Sequence, residues 1–180
     1  MIALVLGGAR SGKSGYAQRA AAAGSRAPVM LATSRQWDAD HASRIARHRA
    51  DRGPEWTTVE EETTLARPEL AGRVVVVDCV TMWLTNLFAD NQWNSELALV
   101  AALEGLGRAF DVAATWIFVS NELGMAPHAT TESARKFVDV HGFVNQQIAA
   151  RADSVVLMVA GIPLVVKGHD LRGLDWPGWP

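Results

Sequence analysis

The 180-residue chain contains a single cysteine, Cys79, so it can close no internal disulfide and build no thiolate zinc site. A reducing compartment suits such a chain, and Cys79 reads as a small core residue. No apolar stretch approaches the ~18 residues that a membrane span requires. The opening MIALVLGGAR has no basic leader and no cleavage site, so neither a signal peptide nor an anchor is expected. An excess of one charge is also lacking: 17 Lys+Arg stand against 19 Asp+Glu, for a net charge of -2. That balance argues against holding nucleic acid or an anionic membrane by bulk charge, so any polyanion must be met locally. Internal repeats and low-complexity tracts are absent. The expectation is a soluble cytoplasmic protein.

What is present has the size of one compact domain, since a chain of about 150 residues already buries roughly 70% of its unfolded surface. Short β-branched apolar runs at Ile2 to Leu6, Val29 to Ala32, Val74 to Val77, Trp116 to Val119 and Val155 to Val159 read as strands covered on both faces. Between them lie segments of helical spacing, such as Leu99, Leu103, Leu106 and Phe110, and the stretch from Thr131 to Ala150. Strands alternating with helices predict an α/β fold, a mostly parallel sheet flanked by helices, over residues 1–166. Residues 167–180 carry glycine and proline too often for helix or strand and read as an irregular tail. Its Trp176 and Trp179 are expected to dock on the chain's own core.

Directly after the first run, Gly7, Gly8, Ala9, Arg10, Ser11, Gly12, Lys13 and Ser14 spell GxxxxGKS. Glycines there let backbone N–H groups turn inward around phosphate oxygens, and a following helix adds its positive end. Lys13 is placed to reach the β- and γ-phosphates, and the Ser14 hydroxyl to ligate Mg²⁺. Chance yields roughly two such matches per thousand chains of this composition. Here a strand precedes the loop, and Ala17, Ala20, Ala21 and Ala22 suit a helix after it. Asp78, closing VVVVD, stands where a P-loop protein places the carboxylate that holds Mg²⁺. A GTPase switch is disfavoured, because Asp78 leads into Cys79, Val80 and Thr81 with no glycine, and Asn121 is followed by Glu122. A small-molecule kinase or nucleotidyltransferase fits better.

The segment WDADHASRIARHRADRGPEW predicts a polar helix opening at Asp38 and stopping before Gly53 and Pro54. His41, Ile45, His48 and Arg52 share one face at helical spacing, with Arg44 beside it. A solvated helix with ion pairs such as Asp40 and Arg44 is one reading. The other brings arginines to phosphates and makes one imidazole a base or nucleophile, since attack on phosphorus gives a phosphoramidate that can pass the group onward. Spacing alone leaves His41 and His48 both open.

In its ordered motifs the sequence resembles the bifunctional adenosylcobinamide kinase/adenosylcobinamide-phosphate guanylyltransferase family. The marks are GGARSGKS, Ala32 with Thr33, Asp38 followed by RIARHR, Arg52 and Trp56, DCVTMWLTN from Asp78, Ser120 to Glu122, and Arg135, Phe137, Asp139, Gly142, Asn145 and Gln146. The resemblance runs from about residue 2 to residue 167. It implies a P-loop enzyme that phosphorylates adenosylcobinamide with a nucleoside triphosphate, ATP or GTP. The enzyme then transfers GMP from GTP through a guanylylated histidine to give adenosylcobinamide-GDP in cobalamin biosynthesis. By that carry-over His48 is the nucleophile, and His41 stands where the family usually has methionine. Gly7 to Ser14 cradle the GTP phosphates, while Ala32, Thr33, Ser34, Arg49, Ala50, Asp51, Arg52, Glu60 and Asp78 complete the nucleotide site, with Mg²⁺ on Ser14 and Asp78. The resemblance also suggests a homo-oligomer, with a trimer as one form, no nucleic-acid partner and no membrane span.

The chain departs from the family's habit in two places. LGMAPHATTES keeps Gly124 and Pro127 but loses a second glycine, and Val138 and His141 replace what are more often arginine and alanine. The competing readings are a P-loop kinase for another small hydroxylated substrate, with His48 a phosphate contact, and a non-catalytic nucleotide-dependent binding module.

Overall fold

The computed structural model describes residues 1–35, 53–126 and 128–171. Along them run β1 (Ile2–Gly7), α1 (Lys13–Gly24), β2 (Val29–Ala32), β3 (Thr57–Glu60), β4 (Val74–Asp78) and α2 (Val80–Asp90). Then follow α3 (Ser95–Asp111), β5 (Thr115–Asn121), α4 (Glu132–Arg151), β6 (Ser154–Val159) and β7 (Ile162–Lys167). One sheet holds every strand in the order β3-β2-β4-β5-β1-β6-β7. All neighbours are parallel except β6 and β7. The α/β class and the mostly parallel sheet expected from the sequence are therefore what the chain forms, and all five apolar runs are strands.

Alternation along each strand divides the core between two faces. Leu4, Leu31, Val75, Val77, Trp116 and Phe118 pack with α2, α3 and α4 around Trp83, Leu84, Phe88, Leu106 and Val144. Ala3, Val5, Met30, Val76, Ile117 and Val156 face the other way, against Tyr16, Ala17, Ala20 and Ala21 of α1. Small residues set how closely the helices approach. Gly105 of α3 leaves room for the Trp83 ring, because a Cβ there would stand 3.0 Å from Trp83 Cζ2. The Trp83 N–H donates to the Thr63 carbonyl at 2.8 Å, so this buried indole leaves no donor unmet.

Three details differ from the sequence-based expectation. The α3 helix does not bury all the leucines that suggested it: Ala98, Ala102, Gly105, Leu106 and Ala109 face the core, while Leu103 is 40% exposed. Close packing on Trp83 favours small residues on the inner face. Strand β3, TTVE, was not foreseen, because an edge strand with exposed ends carries no continuous apolar run. Strand β7 was also missed. It returns antiparallel on β6 through Ala160 (φ 50°) and Gly161 (φ 83°), a two-residue turn with both central residues left-handed. Its Pro163 is tolerated because β7 lies at the sheet edge.

After β7 the chain passes back to α1. Tyr16 Oη–H donates to Asp170 Oδ1 at 2.8 Å and accepts the Leu171 N–H at 3.0 Å, and Leu171 is fully buried. Trp176 and Trp179 lie outside the described residues. No helix among the described residues is long and apolar enough to cross a membrane.

The seat of α1 positions the glycine loop that precedes it. Ala21 is completely buried whereas Ala22 is exposed. Ala21→Leu should therefore lower unfolding free energy by about 1–3 kcal/mol through overpacking, and Ala22→Leu by less than about 0.5 kcal/mol. Equal denaturation midpoints for the two variants would contradict this packing.

Candidate functional site

Parallel strands collect their C-terminal ends on one edge of a sheet, where ligands of open α/β folds bind. Here that edge carries Gly7 of β1, Ala32 of β2, Glu60 of β3, Asp78 of β4 and Asn121 of β5. In register, Gly7 stands opposite Asn121, Ala32 opposite both Asp78 and Glu60, and Asp78 opposite Val119.

The loop from Gly7 to Ser14 joins β1 to α1. Ser11 N–H donates to the Gly8 carbonyl at 3.3 Å, Tyr16 N–H to the Gly12 carbonyl at 2.9 Å, and Gly161 N–H to the Ser11 carbonyl at 3.0 Å. The β6–β7 turn thus braces the loop from below. Gly7 admits no side chain, since a Cβ would stand 2.8 Å from the Met158 carbonyl oxygen and collide with Ser11 Oγ. Gly12 is left-handed at φ 91° and faces Gly161, with only 3.4 Å between its virtual Cβ and the Gly161 Cα. Gly8, Ala9 and Arg10 are exposed, whereas Ser11 Oγ is buried with no hydrogen-bond partner among the described residues.

Lys13, half-buried, rests its ammonium on the Gly8 carbonyl at 3.0 Å. Burial lowers its pKa below the ordinary 10.5, with Cys79 and Asp78 pulling the other way. Ser14 Oγ–H donates to Asp78 Oδ1 at 3.4 Å, which closes the gap between the loop and β4. Behind Asp78, Thr33 N–H donates to its carbonyl at 3.3 Å and Thr33 Oγ1 to the Cys79 carbonyl at 2.7 Å. Asn86, fully buried, donates to the carbonyls of Thr33 at 2.8 Å and Glu62 at 2.9 Å. Burial pushes the Cys79 thiol up to about 11, so it stays protonated; the residue is partly buried and packs against the α1-side core, at its margin and not within it as the sequence suggested.

The helices are capped unequally. Asn94 accepts two N–H groups at the start of α3 and Thr131 one at the start of α4, each with a glutamate in the first turn. Neither α1 nor α2 has a capping side chain or an acidic residue in its first turn. The two positive helix ends that meet at Lys13 thus have no cap of their own, and Asp78 is the carboxylate that stands beside them.

A polar network lies beneath this edge, joining Thr81, Ser120, Asn121, His141 and Asn145. Thr81 Oγ1 is 2.9 Å from His141 Nε2 and accepts the Asn121 side-chain N–H at 2.9 Å. Ser120 Oγ–H donates to Asn145 Oδ1 at 2.6 Å. His141 is 1% exposed, and burial drives its pKa down to about 4.

The sequence-predicted residues fall into three groups. Gly7 to Ser14, Asp78, Ala32 and Thr33 are brought together. Glu60 is four strand positions from β1, about 19 Å away across the sheet at ~4.8 Å per strand, and Ser34 lies one residue beyond Thr33, past the β2 end. His41, Arg44, His48, Arg49, Ala50, Asp51 and Arg52 lie outside the described residues. The chain leaves for that segment through Arg35, which bonds Glu62 at 2.6 Å and Asp90 at 3.1 Å. Sequence reasoning assigned no role to Thr81, Ser120 or His141, although the strings DCVTMWLTN and SNE held the first two.

A glycine loop between the first strand and helix, answered by a carboxylate one strand beyond its neighbour, defines a P-loop nucleotide-binding domain. The chain belongs to the Cobinamide kinase / cobinamide phosphate guanyltransferase family, which matches residues 3–166. It is 43% identical over 173 residues to the bifunctional adenosylcobalamin biosynthesis protein CobP of Pseudomonas aeruginosa, covering 93% of this chain and 98% of that protein. It is 38% identical to CobU, the protein of the same description from Escherichia coli, and 37% identical to that of Salmonella typhimurium. Each of those two alignments covers 93% of this chain and all of the relative.

The buried imidazole makes stability depend on pH. His141 has a folded pKa of about 4 against an ordinary 6.5, so protons favour the unfolded chain. This contribution to stability is complete above pH 6.5 and declines between pH 6.5 and 4, by up to about 3 kcal/mol. Denaturant titrations across that range should show the decline, and His141→Ala should reduce its slope. An identical slope in the variant would rule out this titration.

Proposed function

We propose that the chain phosphorylates the hydroxyl of adenosylcobinamide and then transfers GMP onto that phosphate. Support comes from the family match across residues 3–166 and from the glycine loop where the uncapped first turns of α1 and α2 meet. In the first reaction the acceptor hydroxyl oxygen attacks the terminal phosphorus of a nucleoside triphosphate. The hydroxyl proton is lost, the bond to the bridging oxygen breaks and a nucleoside diphosphate leaves. In the second, His48 attacks the α-phosphorus of GTP, forming a P–N bond and expelling pyrophosphate. A phosphate oxygen of adenosylcobinamide phosphate then displaces the imidazole to give adenosylcobinamide-GDP. The loop N–H groups and Lys13 face charge that spreads over nonbridging oxygens during each transfer, and they gain strength where water is excluded.

Ser14 and Asp78 suit Mg²⁺, since their oxygens already approach to 3.4 Å and a hard cation takes oxygen donors, completing its shell with phosphate and water. When bound there, Mg²⁺ would neutralise developing phosphate charge. Among the histidines of the described residues, His141 is too buried to reach phosphorus. His48 belongs to a segment outside the described residues, and the strand end from which the chain leaves for that segment abuts Asp78 through the Thr33 N–H to Asp78 carbonyl bond. Ala32, Thr33, Ser34, Glu60 and Arg49 to Arg52 complete the nucleotide site in this reading, with Glu60 on the side away from the phosphates. ATP and GTP both serve as candidate donors for the kinase step.

A homo-oligomer is also part of this proposal. Val159, Ile162, Leu164 and Val166 form an apolar stripe on one face of the β6–β7 hairpin, 55%, 69%, 57% and 62% exposed. A second copy of the chain would cover such a stripe. A cytoplasmic setting accords with the single cysteine.

Incubation with α-labelled GTP and Mg²⁺ should leave acid-labile, alkali-stable label on the denatured protein, and His48→Asn should abolish it. Label that survives this substitution moves the nucleophile elsewhere. Active phosphorylation without label would leave a simple kinase, and no turnover at all a binding module. Lys13→Ala should weaken GTP binding or guanylylation at least tenfold, on the order of 1.4 kcal/mol. Unchanged kinetics would count against the loop.

A further inference from the structure

Phosphorylation of a hydroxyl requires that its proton go somewhere as the oxygen attacks. In the nucleotidyl transfer the acceptor is already a phosphate oxygen, and no such proton has to leave. The first transfer therefore calls for a base that the second can do without, and a positioned carboxylate is a common one.

Strand order decides where that carboxylate can stand. Strand β5 runs between β1, which leads into the phosphate loop, and β4, which carries Asp78. Asn121 is the register partner of Gly7 and Val119 that of Asp78, so Glu122 lies one residue past the start of the loop and three residues beyond the level of Asp78. Three residues place it about 10 Å further out along the strand direction, at ~3.3 Å per residue. The backbone there is pinned on both sides. Glu122 N–H donates to the Gly7 carbonyl at 3.2 Å, while the backbone and side-chain N–H groups of Asn121 donate to Thr81 Oγ1 of α2 at 3.3 and 2.9 Å.

The Glu122 side chain is half-buried, and its carboxylate has no hydrogen bond or ion pair among the described residues. Its Oε1 lies beside Gly124, 3.4 Å from where a Cβ would stand, so no side chain hems it in there. The other ionisable groups of the edge are less suited. Asp78 is engaged by Ser14, Glu60 is four strand positions from β1, and His141 is buried beneath the edge.

We propose that Glu122 is a catalytic residue of the phosphorylation, where it accepts the proton of the acceptor hydroxyl. As that oxygen bonds the terminal phosphorus, the O–H electron pair stays on the oxygen and the proton passes to the carboxylate. The bond from phosphorus to the bridging oxygen breaks, and its electron pair leaves on the nucleoside diphosphate. Glu122 then releases the proton to water. Asp78 thus serves the cation side of the terminal phosphate and Glu122 the acceptor side. The proposal rests on the kinase reading given above.

The test compares Glu122→Gln and Glu122→Asp with the unsubstituted full chain, using adenosylcobinamide, adenosylcobinamide phosphate and α-labelled GTP. Glu122→Gln should lower kcat for phosphorylation by about 100-fold or more, with the KM for adenosylcobinamide and the affinity for GTP within threefold. Its covalent GMP adduct, and transfer of GMP to adenosylcobinamide phosphate, should stay within threefold. Glu122→Asp, which keeps a carboxylate, should phosphorylate at least tenfold faster than the glutamine variant. A glutamine variant that phosphorylates at the unsubstituted rate overturns the proposal, as does one that loses adduct formation and phosphorylation equally. If Lys13→Ala loses nucleotide while Glu122→Gln keeps full phosphorylation, the nucleotide reading stands and this proposal alone falls. Failure of the unsubstituted chain to phosphorylate adenosylcobinamide would remove the kinase reading and this proposal with it.

Discussion

A concentration of positive charge beside one carboxylate organises the working edge of this protein. Lys13 is half-buried, its ammonium held by a carbonyl of its own loop, and burial already depresses its pKa. Two helices begin beside it without the capping oxygens and first-turn glutamates that α3 and α4 possess. A chain that caps two helices has the means to cap the others. Leaving these two bare raises the local free energy of the empty crevice and lowers it again when an anion enters, because each N–H and the ammonium then gain a partner. Asp78 limits the field and, through Ser14, supplies the oxygen pair that a hard cation would use.

Holding such a loop open requires rigid support, and the sheet provides it from an unexpected quarter. The β6–β7 turn bonds the Ser11 carbonyl through Gly161, and the β6 backbone at Met158 leaves Gly7 no room for a side chain. The hairpin that supplies these contacts also carries the exposed apolar stripe. Loop geometry and the surface proposed for assembly are thus two ends of one element. The residues after it return to α1 through Tyr16, Asp170 and Leu171, so the helix behind the loop is clasped as well.

How much of this could be read from the chain follows from the range of each interaction. The P-loop was legible because its function depends on backbone shape, and shape demands glycine at fixed local spacing. The central strands were legible because burial on both faces leaves an unbroken apolar run. Strand β3 left no such trace, since Thr57 and Glu60 are exposed at the sheet edge. Strand β7 was obscured by Pro163, although Ala160 and Gly161 carried the turn that makes it a hairpin. In α3 the leucine spacing identified the helix but not its inner face, which the bulk of Trp83 on a neighbouring helix decides. Thr81, Ser120 and His141 come from three separate elements, so nothing in their local sequence could reveal that they share hydrogen bonds.

The last of these contacts ties the working edge to the far side of the core. Burial keeps His141 neutral down to about pH 4, so it neither attacks phosphorus nor shuttles protons near neutrality. What a neutral imidazole does there is hold its neighbours: Thr81 of α2 lies 2.9 Å from Nε2, Ser120 of β5 lies 3.4 Å from the same nitrogen, and Asn145 of its own helix lies 3.4 Å from Nδ1. With two ring nitrogens and three polar neighbours, each group inside this water-poor space keeps a partner, and removing the ring would strand several of them at once. The first turn of α2 is thereby fixed against β5 and α4, and Asp78, three residues before Thr81, begins from a rigid base.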